Sequence, residues 1–193
     1  ILTLLAAILL FASPPIAQEA ASGFEDSIFA LPTLEPVDSE LLVSEGDSLP
    51  PFDLPTIDGK RVRLEDYLGK KNLVLSFIPA AWTPVCSEQW PGYNIVQDIF
   101  EAHDAALIGI SVDNVPTLNA WVLQMGGLWF PVASDFWPHG EFSKALGILR
   151  SEGVSERALF LIDKQGVIRY IDFHDINSRP DLGELVKALA TLN

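Results

Sequence analysis

Cysteine is nearly missing from this chain: Cys86 is the only one in 193 residues. That excludes an intrachain disulfide framework, so the fold must be held by its core even in an oxidising compartment. Basic residues are scarce as well, 12 against 26 acidic ones, and the net charge of −14 argues against nucleic acid or an anionic membrane surface as partner. The three histidines, His103, His139 and His174, show no metal-ligand spacing and read as solvent-facing, so no metal site is expected. Internal repeats are absent.

What is there begins with an apolar run, Ile1 to Ala12, that carries no charge and meets Ser13-Pro14-Pro15. It is short for a bilayer span and reads as the apolar region of a secretory signal. Residues 1–17 are therefore expected to be a truncated signal peptide or membrane anchor, and the protein to be secreted, periplasmic or anchored outside the cytoplasm. Residues 18–43 read as an acidic linker, without Lys or Arg and interrupted by Pro32 and Pro36. Residues 44–193 are long enough for one domain with a sizeable core.

That domain opens with a hairpin pattern around Ile57-Asp58-Gly59-Lys60. Apolar strand-like runs then alternate with helical stretches: a strand over 73–78, a helix over 84–103, a strand over 106–112, a helix over 117–125 and a short apolar run at 130–132. A short helix over 141–146, strands over 158–163 and 167–172 around a turn at 163–166, and a helix over 180–192 complete it. The last helix places Leu182, Leu185, Val186 and Leu189 on one face. The β-α-β-α-β-β-α order predicts an α/β fold, a central mixed sheet with helices on both faces. Asp113 is expected to cap the helix that follows it, and the five tryptophans to serve core or interface packing.

Cys86 follows the strand over 73–78 in the run Pro79-Ala80-Ala81-Trp82-Thr83-Pro84-Val85-Cys86. Thr83 suits an N-cap and Pro84 the first helical position, which puts Cys86 in the first turn of a helix. A thiolate and a bound anion are both favoured there.

The spacing Pro-x-x-x-Thr-x-x-Cys, on Pro79, Thr83 and Cys86, resembles the active-site signature of the peroxiredoxins. The stretch over 106–113 resembles that family's next strand, and Arg157-Ala158-Leu159-Phe160-Leu161-Ile162-Asp163 resembles the strand carrying its active-site arginine. The resemblance spans about residues 44–193. It implies a thioredoxin-like fold and a peroxidase that needs no cofactor, reducing hydrogen peroxide or organic hydroperoxides through a sulfenic acid on Cys86. It also implies catalytic roles for Thr83 and Arg157. The Thr83 hydroxyl would accept from the peroxide and hold the thiolate, and Arg157 would donate to sulfur and peroxide. Pro79 and Gln89 would lie on the substrate-binding side, where Pro79 would wall off the sulfur from water and slow over-oxidation and Gln89 would orient the arginine. Glu88 reads as a surface charge.

The chain departs from many relatives in having no resolving cysteine, so the implied mechanism uses one cysteine and an external thiol, either a small molecule or a thioredoxin-like protein. A homodimer would fit the family. Pro91 cannot donate to the Ser87 carbonyl and is expected to loosen the catalytic helix, easing access of the reductant. Two other readings stay open: a non-catalytic redox sensor, and a thioredoxin-like thiol–disulfide oxidoreductase, although the latter would need a partner thiol where Thr83 stands.

Overall fold

The computed structural model describes residues 23–173 and 175–192. The apolar leader, residues 18–22 at the start of the expected linker, His174 and Asn193 lie outside the described residues. Among those described, no helix is long and apolar enough to cross a membrane.

A two-stranded antiparallel hairpin comes first, β1 (Asp53–Pro55) against β2 (Arg61–Arg63). The main sheet follows, built from β3 (Asn72–Phe77), β4 (Ala105–Ser111), β5 (Val132–Ser134), β6 (Ala158–Ile162) and β7 (Ile168–Phe173). Its order is β5-β4-β3-β6-β7, with β3 central. Strand β4 runs parallel to β3 and β5, whereas β6 is antiparallel to β3 and β7, so the sheet is mixed as expected. All six residues of β3 are buried, which is why its sequence is an apolar run rather than an alternation.

Pleating still sorts those side chains. Leu73, Leu75 and Phe77 join Ile108, Ile110, Phe160 and Ile162 on one face, under the hairpin and α4 (Glu141–Leu146). Val74 and Ile78 join Leu107, Leu159 and Leu161 on the other. That second face is covered by α1 (Pro84–Asn94), α2 (Gln97–Ala102), α3 (Val115–Gln124) and α5 (Leu182–Ala190). Each large apolar side chain buried this way contributes roughly 1.5–3 kcal/mol. In α5, Leu185 and Leu189 are buried, while Leu182 and Val186 are half-buried.

Three expectations need correction. The helix expected over 84–103 is two helices, α1 and α2. Pro91 sits inside α1, and the break comes later, where the Ile95 and Val96 amides turn to the Gly92 and Tyr93 carbonyls three residues back. Glycine and two successive β-branched residues make that stretch a poor helix. Asp113 does not cap α3; Asn114 does, accepting from the Thr117 amide at 3.0 Å. The Asp113 carboxylate instead accepts from the Ala81 amide and the Ser111 hydroxyl, both at 2.7 Å, tying β4 to the loop before α1.

The third concerns the linker. From Phe29 onward its described part is no free tether but a strap bound along the domain. Phe29 donates to the Trp82 carbonyl at 2.7 Å, Leu42 to the Leu146 carbonyl at 3.0 Å, and Ile176 to the Pro36 carbonyl at 3.0 Å. Its acidic composition does not prevent docking, because these bonds run through the backbone.

Candidate active site

Thr83 takes the N-cap position of α1 with extended backbone, and Pro84 follows at the first helical position. This places Cys86 in the first turn, as the spacing predicts. The Thr83 hydroxyl, however, caps nothing in the helix; it donates to the Ala80 carbonyl at 2.9 Å. Its proton is therefore turned away from the sulfur, contrary to the expected geometry, which leaves the oxygen lone pairs for an incoming donor. Trp82, just before it, is held at φ 62°, a left-handed conformation rare for a bulky side chain.

Cys86 is fully buried. Arg157, immediately before β6, reaches it across 71 residues of sequence: Nη1 and Nη2 each lie 3.5 Å from Sγ. Nη1 also donates to Gln89 Oε1 at 2.6 Å, and Nε donates to the Ile176 carbonyl at 2.9 Å. A guanidinium carries five N–H donors in a planar fork, so Nη2, with one contact here, keeps a donor to spare.

Gln89 is held in turn. Its amide nitrogen donates to the Ser76 hydroxyl at 3.1 Å and to the Tyr93 hydroxyl at 3.2 Å, and the Trp90 indole donates to the same Ser76 oxygen at 3.1 Å. Burial lifts the Tyr93 phenol above its ordinary pKa, while hydrogen bonds from Ser76 and Gln89 and the nearby Arg157 charge act in the opposite sense. The network fixes Gln89, and Gln89 fixes the arginine. Ser76 was not singled out from sequence, yet it is the one polar residue in the apolar run over 73–78, and that was its signal.

The remaining two candidates lie beside the guanidinium. Pro79, Thr83 and Arg157 line one cavity of about 220 Å³, whose other walls include Val85, Ile176 and the strap. All five expected site residues are thus gathered within one small region. Cys86 does not itself line the cavity; it is buried against Arg157, which does. Glu88 is exposed and pairs with Arg179 at 3.6 Å, a surface contact. His139 is exposed, with Nε2 2.6 Å from the Gly153 carbonyl.

Comparison with known proteins gives this arrangement a context. The chain is 34% identical to alkyl hydroperoxide reductase E of Mycobacterium tuberculosis over 152 residues, 78% of this chain and 99% of the relative. It is 33% identical to a putative peroxiredoxin from a rubredoxin operon of Clostridium pasteurianum, over 75% of this chain and 86% of that one. The reduced 2-Cys peroxiredoxin of Plasmodium vivax superposes with a TM-score of 0.71 at 26% identity, covering 77% of this chain and 81% of that structure. The family described as AhpC/TSA matches residues 46–171, more than half of the chain. The chain belongs to the AhpC/TSA family, the peroxiredoxins.

Proposed function

We propose that the protein is a thiol-dependent peroxidase of the one-cysteine kind, acting in antioxidant defence. The observation that carries this is the Arg157 fork on Cys86. A buried guanidinium needs an anion beside it, and the group against both of its Nη atoms is a thiol rather than a carboxylate.

In the reaction the Cys86 thiolate attacks one peroxide oxygen. The S–O bond forms as the O–O bond breaks, sulfur loses two electrons to become sulfenic acid with the attacked O–H, and the departing alkoxide or hydroxide takes a proton from water to leave as alcohol or water. The spare Nη2 donor stabilises the charge developing on oxygen, and the Thr83 oxygen accepts from the peroxide O–H. Gln89 positions Arg157 rather than touching substrate, and Pro79 offers the cavity no N–H donor. Cys86 is the only cysteine in the sequence, so the sulfenic acid is reduced by an external thiol: a mixed disulfide forms with loss of water, and a second thiol releases Cys86. The apolar leader supports action outside the cytoplasm, by export or by a membrane tether.

Peroxide consumption with dithiothreitol tests the reading. Sustained turnover that disappears in Cys86→Ser is expected. Consumption of a single equivalent per molecule, followed by arrest, would instead mark a sensor.

A further inference from the structure

The cavity beside Arg157 is larger than a peroxide requires. A water-sized group takes about 30 Å³, so a volume of about 220 Å³ holds roughly seven of them, and two peroxide oxygens fill only about two. Beyond Thr83 and Arg157 the walls are mainly hydrocarbon: Leu31, Pro32 and Leu34 of the strap line the cavity with Val85 and Ile176, and Thr33 is the strap's one polar side chain there. Asn177 also lines it, but its amide is already engaged. It exchanges hydrogen bonds with the backbone of Leu34 in both directions, at 3.0 and 2.9 Å, and donates to Asp175 at 2.7 Å.

We propose that the strap residues Leu31, Pro32 and Leu34 form a substituent subsite that receives the uncharged hydrocarbon group of an organic hydroperoxide while its O–O bond lies at Thr83 and Arg157. This rests on the peroxidase reading above. The subsite is contributed from outside the part of the chain that matches the family, which begins at residue 46 and ends at 171, short of both the strap and its receiver at Ile176 and Asn177.

The wall is pinned at both ends. Ahead of it, the Phe29 amide holds the carbonyl of left-handed Trp82. Behind it, the Glu35 carbonyl accepts from Arg150 Nη2 at 3.1 Å, and Glu156 Oε1 accepts from the Asp38 amide at 2.7 Å and the Ser39 hydroxyl at 3.1 Å. One further link joins wall to chemistry: Ile176 donates its amide to the strap at Pro36 and accepts from Arg157 Nε through its carbonyl. A wall held this firmly is ready before the substrate arrives, which favours binding.

The test compares kcat/KM for hydrogen peroxide, tert-butyl hydroperoxide and cumene hydroperoxide in the full chain and in Leu31→Ser and Leu34→Ser. Leu31 is already 42% exposed, so its replacement threatens the fold little. The readout is the ratio of each organic peroxide to hydrogen peroxide, which does not depend on the fraction of folded enzyme. We expect the cumene ratio to fall roughly tenfold in each variant and the tert-butyl ratio to fall less. Ratios equal to those of the parent in both variants would overturn the subsite while leaving the peroxidase reading intact. A parent chain that consumes none of the three peroxides would overturn both.

Discussion

Arg150 and Arg157 stand seven positions apart and are equally hidden, each 2% exposed, yet they are neutralised in opposite ways. Arg150 faces carboxylates: Glu156 Oε2 at 2.8 Å, with both side chains fully buried, and Glu152 Oε2 at 3.1 Å. Burial works against its charge, but the two glutamates outweigh that and hold its pKa above the ordinary value. Arg157 faces a thiol, an amide oxygen and a backbone carbonyl, and among the described residues no ion pair to a carboxylate is formed by it. A completed pair is a structural part. A buried cation whose neighbours include no carboxylate but a nucleophilic sulfur is a reagent, because it stabilises whatever negative charge arises next to it.

Replacing each arginine by methionine should separate the two roles, and this is the largest effect we expect. Arg157→Met should lower kcat/KM for peroxide by about 100- to 1000-fold, with urea unfolding showing a cost of roughly 1–3 kcal/mol for each acceptor it leaves unsatisfied, Gln89 Oε1 and the Ile176 carbonyl. Arg150→Met strands Glu156 as an unpaired buried charge and should cost about 3–5 kcal/mol. Adding Glu156→Met to that variant should restore part of the loss, since an apolar pair of similar volume often replaces a buried ion pair, but the Asp38 amide and the Ser39 hydroxyl then lose their acceptor. Equal destabilisation by the two single changes, with catalysis per folded molecule intact in Arg157→Met, would erase the distinction.

A smaller effect tests whether the reactive arrangement depends on how α1 rests on the sheet. A Cβ placed on Gly109 would lie 2.7 Å from Trp90 Cζ2, too close for any carbon contact. Trp90 is fully buried and donates to Ser76, the residue that also holds Gln89. Gly109→Ala should therefore destabilise by about 1–3 kcal/mol through overpacking, with a loss of peroxidase rate well below that of Arg157→Met. Urea unfolding and steady-state kinetics on the same preparation would show it. An alanine variant as stable as the parent would mean that the tryptophan can move aside.

Much of this was legible in the sequence, for identifiable reasons. The sheet could be read because apolar runs such as 73–78 and 158–162 have few other uses, and Cys86 because Thr83 and Pro84 mark a helix start locally. Arg157 could not be found that way; nothing local distinguishes it from Arg150, and only the family pattern after it raised it to notice. The end of α1 was missed because Pro91 drew attention, whereas the break is set by Gly92 through Val96. Asn114 lost to Asp113 because both are good caps and only the fold decides which one faces the helix. The strap escaped entirely. Most of its anchors are its own backbone amides and carbonyls, which leave no side-chain signature, while its charge and prolines imitate a linker.

The exposed end of that strap supplies the mildest way to probe the contrast between a buried pair and a solvated one. Asp38 accepts from the Ser151 amide at 2.7 Å, and hydrogen bonds from the Ser151 backbone and then its side chain hold the carboxyl below its ordinary value of 3.8. A carboxyl lowered in the folded state stabilises that state when ionised. Its contribution is present above pH 3.8 and is lost as the pH falls through the lowered folded value. The Ser151 amide resonance should therefore titrate with a midpoint below 3.8, and Asp38→Asn should flatten that transition without changing peroxide kinetics at neutral pH. Should the midpoint fall at or above 3.8 instead, the bond to Ser151 does not hold the strap in solution, and the anchoring of this end passes to Glu156, through the Asp38 amide and the Ser39 hydroxyl, and to Arg150, through the Glu35 carbonyl.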